Sequence, residues 1–218
     1  MIVRDDPQNP DPGFAELYDR LPPPATLGPW LGWCRAAKPP VLYLGIGAGR
    51  LAEPLVAAGV ELVGVDAHPG MLERLRRRVP GLPVHHGLIE DIDLGARFAL
   101  VIAPSNLLDT AAKLAGATRH IASGGRLACE LMNPHWLASG ASAGVRVHRL
   151  EPDAVFDVEY VLPDGEVWVQ EASGVGLIWP GRIDEYLEPA GLRLHWMGGE
   201  PGLRLEDSPT FYVLAEPA

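Results

Sequence analysis

The chain alternates between short apolar runs and stretches of helical period, and that alternation divides it into parts. Val41-Leu42-Tyr43-Leu44 reads as a buried strand, residues 50–58 as a helix, and residues 61–65 as a second strand that ends on Asp66. A helix from Pro69 places Met71, Leu72 and Leu75 on its inner face and stops before Pro80-Gly81. A short strand follows at 83–86. The unbroken apolar run 98–103 has the pattern of a parallel strand covered on both faces. A helix over 107–121 then leads through Ser123-Gly124-Gly125 into a strand over 126–132. Five strands separated by helices predict an α/β domain built on a parallel sheet.

The flanks follow a different grammar. Residues 1–10 read as a loose tail. Asp11 and Pro12 suit the N-cap and first position of a helix over 11–18, which Pro22-Pro23-Pro24 ends. A second helix over 29–37 carries Trp30, Trp33 and Cys34 on one face. Beyond residue 132, the stretches 145–150, 155–162 and 167–173 are strand-like, with Pro163-Asp164-Gly165-Glu166 as a turn. They predict an antiparallel insert. A helix near 182–187 and strands at 192–197 and 210–214 complete the pattern. The reading is one domain in four parts: N-terminal helices (1–38), a core (39–132), the insert (133–180), and a C-terminal helix with a hairpin (181–218).

Candidate chemistry begins where the first core strand ends. Gly45, Gly47 and Gly49 let the backbone turn sharply and approach a ligand with no Cβ in the way. Asp66, at the end of the next strand, is placed to accept hydrogen bonds from a ribose diol. A dinucleotide fingerprint needs its third glycine one residue later, where Arg50 stands, so the spacing argues against a nicotinamide cofactor.

Bulk properties narrow the remaining classes. The formal charge of −10 argues against nucleic acid as the main partner. The one basic run, Arg74 with Arg76, Arg77 and Arg78, falls near a helix end and reads as a solvated, dipole-compensating face. Cys34 and Cys129 sit far apart in apolar surroundings, as reduced core residues do, and Glu90, Asp91 and Asp93 lack the partner cluster a metal would need. With no stretch of signal-peptide or membrane-spanning character, the expectation is a cytoplasmic protein without a metal.

The strand–glycine–helix–strand–Asp order resembles the class I S-adenosylmethionine-dependent methyltransferases, in particular the small single-domain kind that act on small molecules. The resemblance is strong over residues 40–132 and looser over 180–191 and the last two strands. It implies a Rossmann-like seven-stranded sheet, mostly parallel with an antiparallel last strand, an N-terminal helical lid, and S-adenosyl-L-methionine as cofactor. It places Gly45, Ile46, Gly47, Gly49 and Arg50 beside the methionine part of the cofactor and Asp66 on the ribose. Ala67 and Met71 fall near the adenosine, and Leu88 and Ile89 along the adenine edge. Pro104, Ser105 and Asn106 fall where methyl donor and acceptor meet. Tyr18 resembles lid aromatics that fold over the cofactor.

Three positions depart from the pattern. Tyr43 stands where members usually carry an acid that helps hold the cofactor's ammonium. Leu88 stands where an aspartate commonly meets the adenine amino group, and Ala99 replaces another frequent aspartate. The implied activity is methyl transfer to nitrogen or oxygen of a small-molecule acceptor. A non-methylating protein that binds the same cofactor is the alternative. His135, just past the fifth core strand, is the candidate base or acceptor contact, with Asn106 as its companion at the reaction centre; an ordinary loop histidine is the other reading of His135.

Overall fold

The computed structural model describes residues 1–6, 8–140 and 144–218. Residue 7 of the expected tail and 141–143 of the expected insert lie outside the described residues. The elements run β1 (Ile2–Arg4), α1 (Pro12–Arg20), α2 (Trp30–Ala36), β2 (Val41–Leu44), α3 (Ala52–Ala57), β3 (Leu62–Asp66), α4 (Pro69–Arg78), β4 (Val84–His86) and β5 (Phe98–Ala103). They continue with α5 (Ala111–Thr118), β6 (Ile121–Met132), α6 (Pro134–Ser139), β7 (Val145–Arg149), β8 (Ala154–Val161), β9 (Val167–Val175), α7 (Ile183–Leu187), β10 (Leu192–Gly199) and β11 (Thr210–Pro217).

Seven strands form the main sheet in the order β10-β11-β6-β5-β2-β3-β4. Strands β2 to β6 are mutually parallel where they pair, and β11 runs antiparallel to both β6 and β10. The seven strands and the antiparallel last strand therefore match expectation. Each face of the sheet is covered. One apolar cluster joins Leu42, Leu44 and Val101 to Leu114, Ile183 and Phe211. The other joins Tyr43, Ile102 and Ala128 to Trp30, Leu55, Leu72 and Leu75. Double coverage explains why β2 and β5 are apolar at nearly every position. Chain order reverses between β2 and β5, which opens a crevice outside their carboxyl ends, the usual ligand position in such sheets.

A second sheet has the order β1-β9-β8-β7. Its β7-β8-β9 part is the predicted antiparallel insert, and Gly165, at φ +85°, makes the turn between β8 and β9. Its fourth strand corrects the reading of residues 1–10 as a tail. Ile2, Val3 and Arg4 pair in parallel with Val169, Gln170 and Glu171, and Val3 is buried beside Phe14, Leu17, Met71 and Trp168. Two apolar residues give too short a signal for a strand, and the partner lies on the far side of the sequence.

Three further boundaries moved. The predicted 107–121 helix starts only at Ala111, because Ser105 and Asn106 hold φ of 66° and 56° and the Thr110 side chain caps Lys113 N. The Ser123-Gly124-Gly125 turn is instead a bulge inside β6, where the pairing with β5 slips between Phe98 and Leu100. The stretch after β6 is helical: Asn133 caps α6 by accepting from His135 N at 3.1 Å, and Pro134 takes the first position. The arginine run is only half a solvated face. Arg74 and Arg78 turn inward to Asp19 at 3.7 and 2.9 Å, tying α4 to α1, while Arg76 and Arg77 remain exposed.

Candidate cofactor site

The glycine loop leaves β2 as a chain of left-handed turns, with φ of +64°, +58° and +86° at Gly45, Gly47 and Gly49. Only glycine takes such values without strain. The three glycines face different neighbours. A Cβ on Gly45 would meet Leu107 Cδ1 at 1.9 Å and one on Gly49 would meet Leu75 Cδ1 at 2.5 Å, so these two serve close packing. At Gly47 nothing lies within 4 Å of where a Cβ would stand. That opening leaves the backbone at Gly47 accessible to a ligand atom.

Asp66 closes β3 directly beneath the loop. Its Oδ2 accepts from Gly47 N at 2.7 Å and its Oδ1 from His68 N at 2.8 Å. Burial raises its pKa above the ordinary carboxylate range, and the two amide donors offset part of that rise. Each oxygen keeps a lone pair beyond its amide bond, which is the capacity a ribose diol needs. The open side of Gly47 and the spare capacity of Asp66 together fit a nucleoside cofactor.

His68 is a residue that sequence reading missed. Nδ1 accepts from Gly70 N at 3.1 Å, so the proton sits on Nε2, which donates to Asp11 O at 2.9 Å. One buried ring thus caps α4 and fixes the start of α1 beside Asp66. The signal was present: a polar residue before Pro69 at a helix start is an N-cap pattern.

Arg50 and Tyr18, the latter expected at a lid, contact the N-terminal segment and the insert. The Arg50 guanidinium donates to Pro22 O at 2.9 and 2.7 Å and lies 5.8 Å from the centre of the Tyr18 ring. Arg50 therefore ties the glycine loop to the segment after α1. Tyr18 packs on Phe14 at 4.7 Å, and its hydroxyl and that of Tyr160 both reach Gln170 Oε1, at 3.5 and 3.1 Å. Burial raises the Tyr18 hydroxyl well above its ordinary value. Met71 is buried in this same cluster and Ile46 in the core behind the loop. Ala67 offers its carbonyl to His86 Nε2 at 2.9 Å.

Leu88 and Glu90 border a cavity of about 460 Å³ whose other walls come from Arg4, Asp5, Lys113 and β8–β9. Leu88 places it at the expected adenine end, and Arg4 at the end of β1 lines it. Asp5, another residue the sequence did not single out, also lines it. Ile89 packs against the main core.

At Asn106 and His135, expected at the reaction centre, the picture changes. Pro104 is buried and Ser105 exposed. The Asn106 amide is engaged at both ends: Oδ1 accepts from Met132 N at 2.8 Å and Nδ2 donates to Gly176 O at 3.4 Å. Asn106 thereby holds its own turn against β6. His135 is exposed on α6, with its ring edge-on to Trp179 at 4.8 Å between centroids. Tyr43 is buried, and burial together with the charge of Glu130 raises its hydroxyl far above the ordinary value. Among the described residues no group of acids, histidines and cysteines could hold a metal, and no helix is long and apolar enough to cross a membrane.

Sheet order, glycine loop and terminal acid define a class I methyltransferase fold. Residues 41–125 match the methyltransferase domain family. Among solved structures, the CcbJ methyltransferase of Streptomyces caelestis superposes with a TM-score of 0.73 at 22% identity, over 94% of this chain and 96% of that one. CalS10, an amino pentose methyltransferase of Micromonospora echinaspora solved with S-adenosylmethionine bound, gives 0.62 at 21% identity over 94% and 96%. The ubiquinone biosynthesis O-methyltransferase of Nitrobacter winogradskyi is 26% identical over 147 residues, 63% of this chain and 56% of its own length. An uncharacterized methyltransferase of Mycobacterium bovis is 36% identical over 95 residues, 42% of this chain and 39% of its own. The chain thus spans roughly half the length of these curated relatives or less.

Proposed function

We propose that the chain is an S-adenosylmethionine-dependent methyltransferase that transfers a methyl group to nitrogen or oxygen of a small molecule. The observation that carries this is the open glycine loop over Asp66, at the crevice between β2 and β5, inside the matched domain. Bound cofactor supplies a methyl group already activated on a sulfonium, so the protein's task is to align the nucleophile and exclude water. Asp66 anchors the ribose through its free lone pairs. Amides around Leu88 and Ile89 read the adenine edge in place of a side-chain acid. Residues 1–38, clamped by Arg50 and by the Tyr18–Gln170–Tyr160 contacts, act with the insert as a lid that keeps water out. Asn106 holds the turn beneath the methyl group, and a ring nitrogen of His135 hydrogen-bonds the acceptor and takes its proton. The buried, unpaired Cys34 and Cys129 suit a cytoplasmic setting.

The test is calorimetric titration with S-adenosylhomocysteine and NAD, followed by transfer of labelled methyl from S-adenosylmethionine to panels of small amines and phenols. Micromolar binding of the sulfur compound and none of NAD is expected, with label on one acceptor class. Failure to bind S-adenosylhomocysteine at millimolar concentration overturns the assignment.

A further inference from the structure

The main sheet carries a second acid at its ligand end that the site described above does not use. Tyr43 of β2 pairs with Ile102 of β5, and Ile102 pairs with Ala128 of β6, so the three share a row across one face. Glu130 lies two residues further along β6, on the same face and closer to the carboxyl end. Its Oε2 accepts from Ser105 N at 3.0 Å and its backbone carbonyl accepts from Asn106 N at 3.0 Å. It therefore stands directly behind the positive-φ turn at the proposed reaction centre.

The carboxylate is incompletely satisfied. Among the described residues Glu130 has no ion pair with lysine, arginine or histidine, and the hydrogen bond of ordinary geometry to its side chain comes from Ser105 N. The Thr210 hydroxyl approaches it without closing a bond of ordinary geometry and is itself buried with no partner. Burial raises the Glu130 carboxyl above its usual range, further than the Ser105 amide and Thr210 lower it. The neighbouring acids are accounted for differently: Asp109 is paired with Lys113 at 2.6 Å, and Asp66 accepts two amides. A half-buried carboxylate with one backbone donor, a hydroxyl close by and no protein cation suits a cationic ligand group.

Sheet order says which group. Leu88, on the wall of the cavity, follows β4, and Asp66 closes β3, so a nucleoside held between them has its remaining chain free to cross β2 and β5 toward β6. From β3 to β6 is three strand spacings, about 14 Å, which the side chains at both ends shorten. We propose that Glu130 receives the α-ammonium of the cofactor, supplying from two strands away the carboxylate that the Tyr43 position lacks. This rests on the methyltransferase reading above. The sulfonium, the ligand's other cation, has to face the acceptor and is left uncovered by this arrangement.

The experiment measures affinities of wild type and Glu130→Gln for S-adenosylhomocysteine and for its analogue without the α-amino group, with thermal melts confirming the fold. The variant is expected to bind S-adenosylhomocysteine about tenfold more weakly and the desamino analogue within twofold of wild type, a coupling of about 1.4 kcal/mol. Glu130→Asp, which keeps the charge, is expected to recover most of the lost affinity. Equal weakening of both ligands, or no recovery by Asp, overturns the proposal. Unchanged affinity with slowed turnover also overturns it and moves Glu130 to the acceptor side. A wild-type chain that binds neither ligand removes the methyltransferase reading itself.

Discussion

The seven-stranded and four-stranded sheets divide the site between them and are assembled from different ranges of the chain. Helices follow β2, β3, β5 and β6 in the chain while β4 leads directly to β5, so the floor of the proposed cofactor site is made largely from neighbours in sequence. The smaller sheet takes one edge from residues 2–4 and its other strands from 145–175, with Arg4 and Glu171 bonded at 2.8 Å across most of the chain. Local assembly gives a floor that many chains can share. Closure by segments far apart in the chain gives a roof whose pairing no local window of sequence declares.

The comparison breaks first at Trp168. It is fully buried in β9 among Val3, Phe14, Leu17 and Met71, joining roof to floor. Trp168→Ala is expected to cost about 4 kcal/mol in urea unfolding. Cofactor affinity should fall with it, because the lid helix loses its seat. An affinity unchanged in a folded variant would separate the lid from the cofactor.

Asp66 is the floor's counterpart. Asp66→Ala removes the proposed acceptor of the ribose hydroxyls and is expected to weaken S-adenosylhomocysteine about a hundredfold by calorimetry, since bonds to a charged group are worth about 1.5–3 kcal/mol each. The wild type adds a pH signature. Its folded pKa is raised above the unfolded value of about 3.9, so the folded chain holds this proton more tightly. The associated stability cost is absent below the unfolded pKa and grows as pH rises through the folded one. Affinity runs oppositely and falls as pH drops through that raised value, because only the ionised form accepts from both hydroxyls. A pH-independent affinity between about 4 and 7 would contradict the ribose role.

On the acceptor side the effect is smaller. His135→Ala is expected to leave cofactor affinity intact and slow turnover about tenfold, below the usual contribution of a buried general base because the ring is exposed on α6. Weakened cofactor binding in this variant would place His135 in the wrong half of the site.

How legible each half was follows from the same division. Strand–turn–helix units declare themselves within a window of a few residues, so Val41–Leu44, the glycines, Asp66 and Phe98–Ala103 could be read in place. Residues 145–173 were legible as strands because alternation and Pro163-Asp164-Gly165 are local too. The strand at 2–4 was not, because its stability comes from Val169 and Trp168. Glu130 was hidden for another reason: in the sequence it is one polar residue in an apolar strand, and only the pairing of β2, β5 and β6 sets it beyond Tyr43. Asn106 was legible by position, but its amide is bound to Met132 N and Gly176 O, a role that depends on the insert.

The smallest predicted effect separates loop geometry from ligand contact. Gly47 and Gly191 both hold positive φ, +58° and +71°, with nothing within 4 Å of the place a Cβ would take, so alanine at either strains the backbone and clashes with nothing. Each substitution is expected to cost about 1 kcal/mol of stability. Gly191 ends the turn before β10, away from the crevice, and its variant should bind S-adenosylhomocysteine as wild type does. Gly47→Ala puts a methyl group into the opening beside Asp66 and should weaken binding several-fold beyond any loss of folded protein. Equal affinities in the two variants would show that the open side of Gly47 faces solvent and that the ligand passes elsewhere.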